Sequence, residues 1–236
     1  MNRKIMNKRQ FRGALFDLDG VVFDTEPQYT IFWGNQFKEY YPGSHEMEKL
    51  IKGQTLVEIY DKYFPDPSVQ EEITRRLDRF EDEMKFEYVR GFEDFVKNIR
   101  KNGVKTAVVT SSNVMKMKNV YAKHPEFKGY FDEILTSEDF DESKPSPDCY
   151  LKAAERFGLT SDECVVLEDS FNGLKSGRAA KMFVVGFATT NSHEAIEPYS
   201  DTVVDDYVGL SYEEIMRSLG QLCLMNIIIS INQLKK

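Results

Sequence analysis

The 236 residues are 41% hydrophobic and 30% charged, the balance of a folded globular chain and not of a disordered or fibrous one. Thirty-one basic against 39 acidic residues leave a net charge of -8, which argues against nucleic acid and membrane surfaces as partners and requires a local cation wherever an anionic substrate binds. The three cysteines, Cys149, Cys164 and Cys223, show no CxxC or cysteine–histidine spacing, so neither a disulfide framework nor a zinc site is supported and a reducing cytoplasm fits best.

The start, MNRKIMNKRQFRG, is basic but lacks the apolar stretch of a secretory signal, and it reads as a frayed terminus. Short apolar runs then recur at 13–18, 104–110, 131–136, 163–168 and 182–187, each followed by a longer helical pattern. That alternation predicts an α/β fold, a doubly wound parallel sheet covered on both faces. Between Glu26 and Tyr88 no strand run appears. Val69, Ile73, Leu77, Phe80 and Met84 are instead spaced for one face of a long helix, which predicts an all-helical cap over 27–88 inserted into a core made of 1–26 and 89–220. An insertion directly after the first strand overhangs the carboxyl ends of the strands, where open α/β sheets bind ligands, and opening about linkers near 24–27 and 88–91 is expected to gate solvent. Over 91–103, Phe92, Phe95, Val96 and Ile99 form one stripe, and Gly103 stands where that helix should stop. The tail, 221–236, contains LCLMNIIISI, roughly half of a bilayer-spanning helix; a docked terminal element and an adhesive tail both fit it.

Four features close successive strand runs. Asp17 and Asp19 are two residues apart, so their carboxylates are expected on one face while Leu18 enters the core. One carboxyl of such a pair should rise in pKa and act as a general acid while its neighbour stays ionised as a nucleophile. Gly20 is fourth in this loop, not sixth, which excludes an EF-hand. Thr110, Ser111, Ser112 and Asn113 form a strand-to-helix turn suited to a phosphate or to simple helix capping. Lys144 sits in the proline-stiffened stretch 143–147, as a site cation or a surface lysine. Glu168 and Asp169 form a second acidic pair, suited to Mg2+ or to a helix N-terminus. On a parallel sheet all four converge on one crevice.

FDLDGVVFDTEP, VVTSS, SKPSPDCY and VVLEDSFNG, in that order over about residues 12–190, resemble the four motifs of the haloacid dehalogenase superfamily, and within it the β-phosphoglucomutase-like phosphatases with a helical cap. The resemblance implies that Asp17 attacks phosphorus to form an aspartyl-phosphate, while Asp19 protonates the leaving oxygen and later activates water. It implies that Thr110, with Ser111, Ser112 and Asn113, binds the phosphoryl oxygens and that Lys144 neutralises charge between nucleophile and substrate. Mg2+ would be held by the Asp17 carboxylate, the Asp19 backbone carbonyl and Asp169, with Glu168 close by or in the outer shell.

Two departures from the mutase pattern matter. Tyr29 stands where β-phosphoglucomutases carry a histidine that gates proton transfer, and after the matching Lys52-Gly53 an expected arginine aligns with Leu56. Losing both favours a phosphatase, with a sugar phosphomutase as the alternative. The resemblance points to a small phosphorylated substrate, a sugar phosphate in family terms, with Phe23, Tyr29, Lys52, Gln54 and Thr55 as candidate contacts on the cap face. Phe23 and Tyr29 read equally well as packing. A phospho-accepting receiver module shares the residue types, but there the acid pair ends the first strand and the acceptor lies on a later one. A true dehalogenase would not keep Asp19 and the Glu168-Asp169 pair. The expected protein is a cytoplasmic monomer or weak homo-oligomer.

Overall fold

Strands form where β-branched and aromatic residues run together, and the computed structural model places them as β1 (Gly13–Phe16), β2 (Lys105–Val109), β3 (Glu133–Leu135), β4 (Cys164–Glu168), β5 (Phe183–Phe187) and β6 (Thr202–Val204). The structure describes residues 11–51 and 54–221; the basic start, Lys52, Gly53 and nearly all of the apolar tail, including Cys223, lie outside them. β1 to β5 fall on the five apolar runs of the sequence. β6 was not expected from the sequence: it is a three-residue edge strand, TVV, only half-buried, and too short to stand out.

All pairings are parallel, in the order β3-β2-β1-β4-β5-β6. Such an order winds outward in both directions from β1, and the reversal beside it opens a crevice at the carboxyl ends of the strands. Side chains alternate across the sheet. Ala14, Phe16, Val108 and Leu167 join the apolar core on one face, and Leu15, Ala107, Val109 and Val166 join that on the other. Register sets the site. Phe16 pairs with Val108 on one side and Leu167 on the other, so Asp17, Thr110 and Glu168 all emerge at the same edge.

The helices, in chain order, are α1 (Glu26–Tyr40), α2 (Met47–Leu50), α3 (Leu56–Tyr63), α4 (Pro67–Glu83), α5 (Phe92–Lys101), α6 (Val114–Lys123), α7 (Asp148–Phe157), α8 (Phe171–Ala179) and α9 (His193–Ile196), followed by a helix over 212–221. α5 carries the predicted stripe, with Phe92, Phe95, Val96 and Ile99 buried, and Gly103 follows it at φ 80. Its N-cap, Gly91, has φ 84, and a Cβ there would lie 3.1 Å from the backbone of Tyr207 and Val208, so this entry to the sheet requires glycine.

α1 to α4 enclose an apolar cluster of their own, built on Phe32, Trp33, Phe37, Phe64, Ile73 and Leu77. Local signals fix their ends: Asp66 caps α4 with Pro67 next in line, and Thr55 and Glu58 form a reciprocal capping box on α3. α4 locks onto α1 through stacked Phe32 and Phe80 rings, 4.8 Å apart, and through Arg76 bonded to Gln36 and Glu39. The two strands of chain that join these helices to the sheet run side by side, with Asp24 N donating to Glu87 O and Val89 N to Val22 O. Met84, which the sequence spacing put on the helical face, falls just past α4 and packs into the main core instead. Phe23 is fully buried at this junction, stacked on Tyr88 and Phe127. It is packing, which corrects its candidacy as a substrate contact.

Ile73 is fully buried at the centre of the cluster around α1 to α4. An Ile73→Ala substitution is expected to lower the unfolding free energy by about 2–5 kcal/mol, read from urea unfolding curves; a change below 1 kcal/mol would mean that this cluster does not hold the helices together.

Candidate active site

The site begins one residue beyond β1. Asp17 N still donates to Leu167 O at 3.0 Å, which extends the ladder and fixes the carboxylate over the crevice between β1 and β4. Lys144 is buried and directs its ammonium to three acceptors: Asp17 Oδ1 at 2.7 Å, Glu168 Oε1 at 2.6 Å and Val109 O at 3.0 Å. Its three hydrogens are thereby matched across β1, β2 and β4. Ser176 Oγ on α8 donates to Ser146 O and so ties down the loop that carries Lys144.

Glu168 is fully buried and accepts on both oxygens. Oε1 takes Lys144 Nζ and the Tyr150 hydroxyl, and Oε2 takes the backbone N–H of Asp169 and Ser170 and the Ser170 hydroxyl. A Cβ on Gly173 would lie 1.7 Å from that carboxylate, so the glycine in FNG is what admits it. Its carboxylate faces into the protein, behind Asp17 and Asp169. Asp169, nearly fully buried, bonds the Thr190 hydroxyl through Oδ2 and passes over Gly20, where a Cβ would lie 2.1 Å from that oxygen.

Asp17, Glu168 and Asp169 each offer a carboxylate oxygen within 4.8 Å of the others. Burial pushes the Asp17 carboxyl up to about 7 in spite of Lys144, with Glu168 adding repulsion, and burial and Glu168 also raise Asp169 well above the usual carboxylate range. Burial opposes the charge of Lys144, yet Asp17 and Glu168 outweigh it and raise its pKa. Two buried carboxylates and one partly buried one thus face one buried ammonium. A hard divalent cation fits both this donor set and its surplus charge, with Asp17 and Asp169 as the carboxylates placed to hold it and Glu168 supporting them.

Asp19 opens on the same cleft but stands apart from that cluster. Thr25 Oγ1 donates to Oδ1 at 2.6 Å, and Ser112 Oγ and Lys116 Nζ donate to Oδ2 at 3.2 and 2.5 Å. Burial raises the carboxyl of Asp17, the residue read from the sequence as the ionised nucleophile, which corrects that expectation. Burial and the neighbouring carboxylate decide it, and alternation along a strand does not register either.

The cleft has a volume of about 660 Å³ and is lined from the sheet side by Asp17, Asp19, Thr110, Ser111, Ser112, Asn113, Lys116, Lys144 and Asp169. Thr110 is buried and accepts from Ser112 N, while Asn113 Oδ1 caps α6 at Lys116 N. Tyr29, Gln54 and Thr55 line it from the inserted helices, with Tyr29 donating to Glu81 at 2.8 Å; Lys52 lies outside the described residues. Sequence reasoning missed Lys116, Tyr150, Thr25, Thr190 and Glu81. Tyr150 stood inside SKPSPDCY, but nothing local separates Lys116 from the exposed Lys118 two residues on.

Residues 14–187 match the family described as haloacid dehalogenase-like hydrolase. Among curated relatives, the bifunctional riboflavin kinase/FMN phosphatase of Arabidopsis thaliana is 26% identical over 211 residues, 86% of this chain and 53% of that protein, so the chain spans about half of that relative. Hexitol phosphatase A of Escherichia coli (strain K12) is 29% identical over 181 residues, 74% of this chain and 82% of the relative. Among solved structures, a β-phosphoglucomutase from Clostridium difficile superposes with a TM-score of 0.75 at 21% identity, covering 91% of this chain and all of that one, a likeness of fold. No helix among the described residues is long and apolar enough to cross a membrane.

Mg2+ at a hundredfold excess over its dissociation constant is expected to raise the melting temperature by roughly 5–10 °C. The shift should be larger at pH 8 than at pH 6. Below about 7 the Asp17 carboxyl keeps a proton that the ion must displace, and above it the carboxylate is free. Differential scanning fluorimetry on wild type and Asp169→Asn checks this, and an equal shift in both proteins would place the ion elsewhere.

Proposed function

The chain belongs to the haloacid dehalogenase-like hydrolase family, and from that premise we propose that it is a Mg2+-dependent phosphatase that hydrolyses a small phosphorylated metabolite through an aspartyl-phosphate on Asp17. The observation that carries this reading is a partly buried carboxylate, Asp17, paired with Lys144 at 2.7 Å and set beside Asp169 at the mouth of a cleft edged with hydroxyls. The relatives' names, FMN phosphatase and hexitol phosphatase, agree with phosphomonoester chemistry.

In this reading Asp17 attacks phosphorus and the bond to the leaving oxygen breaks, with Asp19 supplying that oxygen's proton. Water then attacks phosphorus, gives its proton to Asp19, and the electrons of the bond to Asp17 return to its carboxylate. Lys144 offsets the charge that gathers between nucleophile and phosphoryl oxygens, while Thr110 and the N–H groups of 111–113 bind those oxygens. When bound at Asp17 and Asp169, with the Asp19 carbonyl, the cation supplies further neutralisation of the phosphoryl group.

The helices over 27–88 act as a cap on a core of 1–26 and 89–220, closing on the substrate with Tyr29, Gln54, Thr55 and Lys52 as its contacts. A sugar phosphate suits the cleft, because hydroxyls can bond its carboxylates. The mutase alternative has to hold a second phosphate on the cap side. Among the described lining residues that side offers Glu26, Glu48, Glu58, Asp78 and Glu81 and no lysine or arginine, which repels a second phosphate and favours hydrolysis.

Hydrolysis of p-nitrophenyl phosphate, and of a panel of sugar phosphates that includes β-glucose 1-phosphate with and without the bisphosphate, is expected to require Mg2+ and to stop with EDTA. Asp17→Asn should fall to background and Asp19→Asn by about 10²–10⁴-fold with an alkyl phosphate. Undiminished turnover in Asp17→Asn, or turnover in EDTA, would refute the mechanism.

A further inference from the structure

Lys116 lies on α6, outside the four motifs, and is only 4% exposed. A buried ammonium has to be matched, and its surroundings come from three parts of the fold. Nζ is 2.5 Å from Asp19 Oδ2 in the turn after β1, and it lies 4.7 Å from the centre of the Tyr29 ring on α1. Glu81 on α4 accepts from the Tyr29 hydroxyl and feels the charge of Lys116. The lysine's own place is fixed from behind, because Asn113 Oδ1 caps its backbone N–H at 2.9 Å. On the same helix Lys118 is exposed, so burial at 116 is specific to this contact.

We propose that Lys116 is a positioning residue for Asp19: it orients that carboxylate as the base of the hydrolytic half-reaction, a role that rests on the phosphatase reading above. Asp19 has two oxygens, and Thr25 orients one while Ser112 and Lys116 orient the other. An ammonium can only donate, so it fixes the direction of the carboxylate oxygen that faces it. In the second half-reaction the oxygen of water bonds to phosphorus, the bond from phosphorus to Asp17 breaks with its electrons returning to Asp17, and the water proton passes to Asp19. Lys116 touches none of the reacting atoms. Through Tyr29 and Glu81 it also ties the orientation of Asp19 to the inserted helices, so the base is set only when α1 and α4 sit against α6.

p-Nitrophenyl phosphate separates the half-reactions, because p-nitrophenolate leaves without a proton. With Mg2+ and the full chain, Lys116→Met is expected to show a burst of about one p-nitrophenolate per site, then steady turnover at least ~10-fold below wild type with KM not raised. Acid-quenched intact-mass measurement should find one phosphoryl group on the variant, removed by hydroxylamine. Lys116→Arg should restore much of the steady rate. Lys116→Gln, neutral but polar, should behave as Lys116→Met does and replaces it if the methionine variant fails to fold. A wild-type steady rate in the neutral variant, or an equal loss in burst and steady phases without a trapped phosphoryl group, overturns the proposal. Failure of the wild type to hydrolyse any phosphomonoester would instead refute the phosphatase reading itself.

Discussion

The contact between Lys144, Asp17 and Glu168 is what the rest of this site depends on. Three charged side chains are withdrawn from water at the ends of β1 and β4, and a buried charge is tolerated only where partners are matched in number and geometry. Glu168 meets that demand with five donors and Lys144 with three acceptors. Such a network contributes little net stability compared with an apolar core of the same volume, but it leaves each member one position to occupy. The glycines follow from it. Gly173 exists to let Glu168 through, and Gly20 lets Asp169 reach the same crevice.

Much of this was legible in the sequence because the signals are local. Short continuous apolar runs gave β1 to β5, and the stripe at Phe92, Phe95, Val96 and Ile99 gave α5. Parallel topology then carried Asp17, Thr110, Lys144 and Asp169 to one edge of the sheet, since motifs at the ends of successive strands have nowhere else to go. What escaped depends on distance through space. β6 is three half-buried residues that form a strand only because β5 presents an edge to it. Phe23 read equally well as a cleft contact and as packing, and four aromatic or histidine rings that close over it from chain positions as far off as 127 decide for packing. Lys116 had no sequence mark at all, because its meaning comes from Asp19, 97 residues earlier.

Asp17 and Asp19 show the limit most clearly. They are the same residue type, two positions apart, and alternation alone treats them as twins. The fold divides them. Asp17 sits among carboxylates with a lysine whose charge is shared with Glu168, so burial drives its carboxyl up and a further cation is called for. Asp19 leans away, toward a threonine, a serine and a lysine of its own. Each acid therefore has its own ammonium, Lys144 for one and Lys116 for the other. The nucleophile and the proton carrier proposed for these two acids need different electrostatics, and two buried lysines from different elements provide that difference where the chain between the acids is a single leucine.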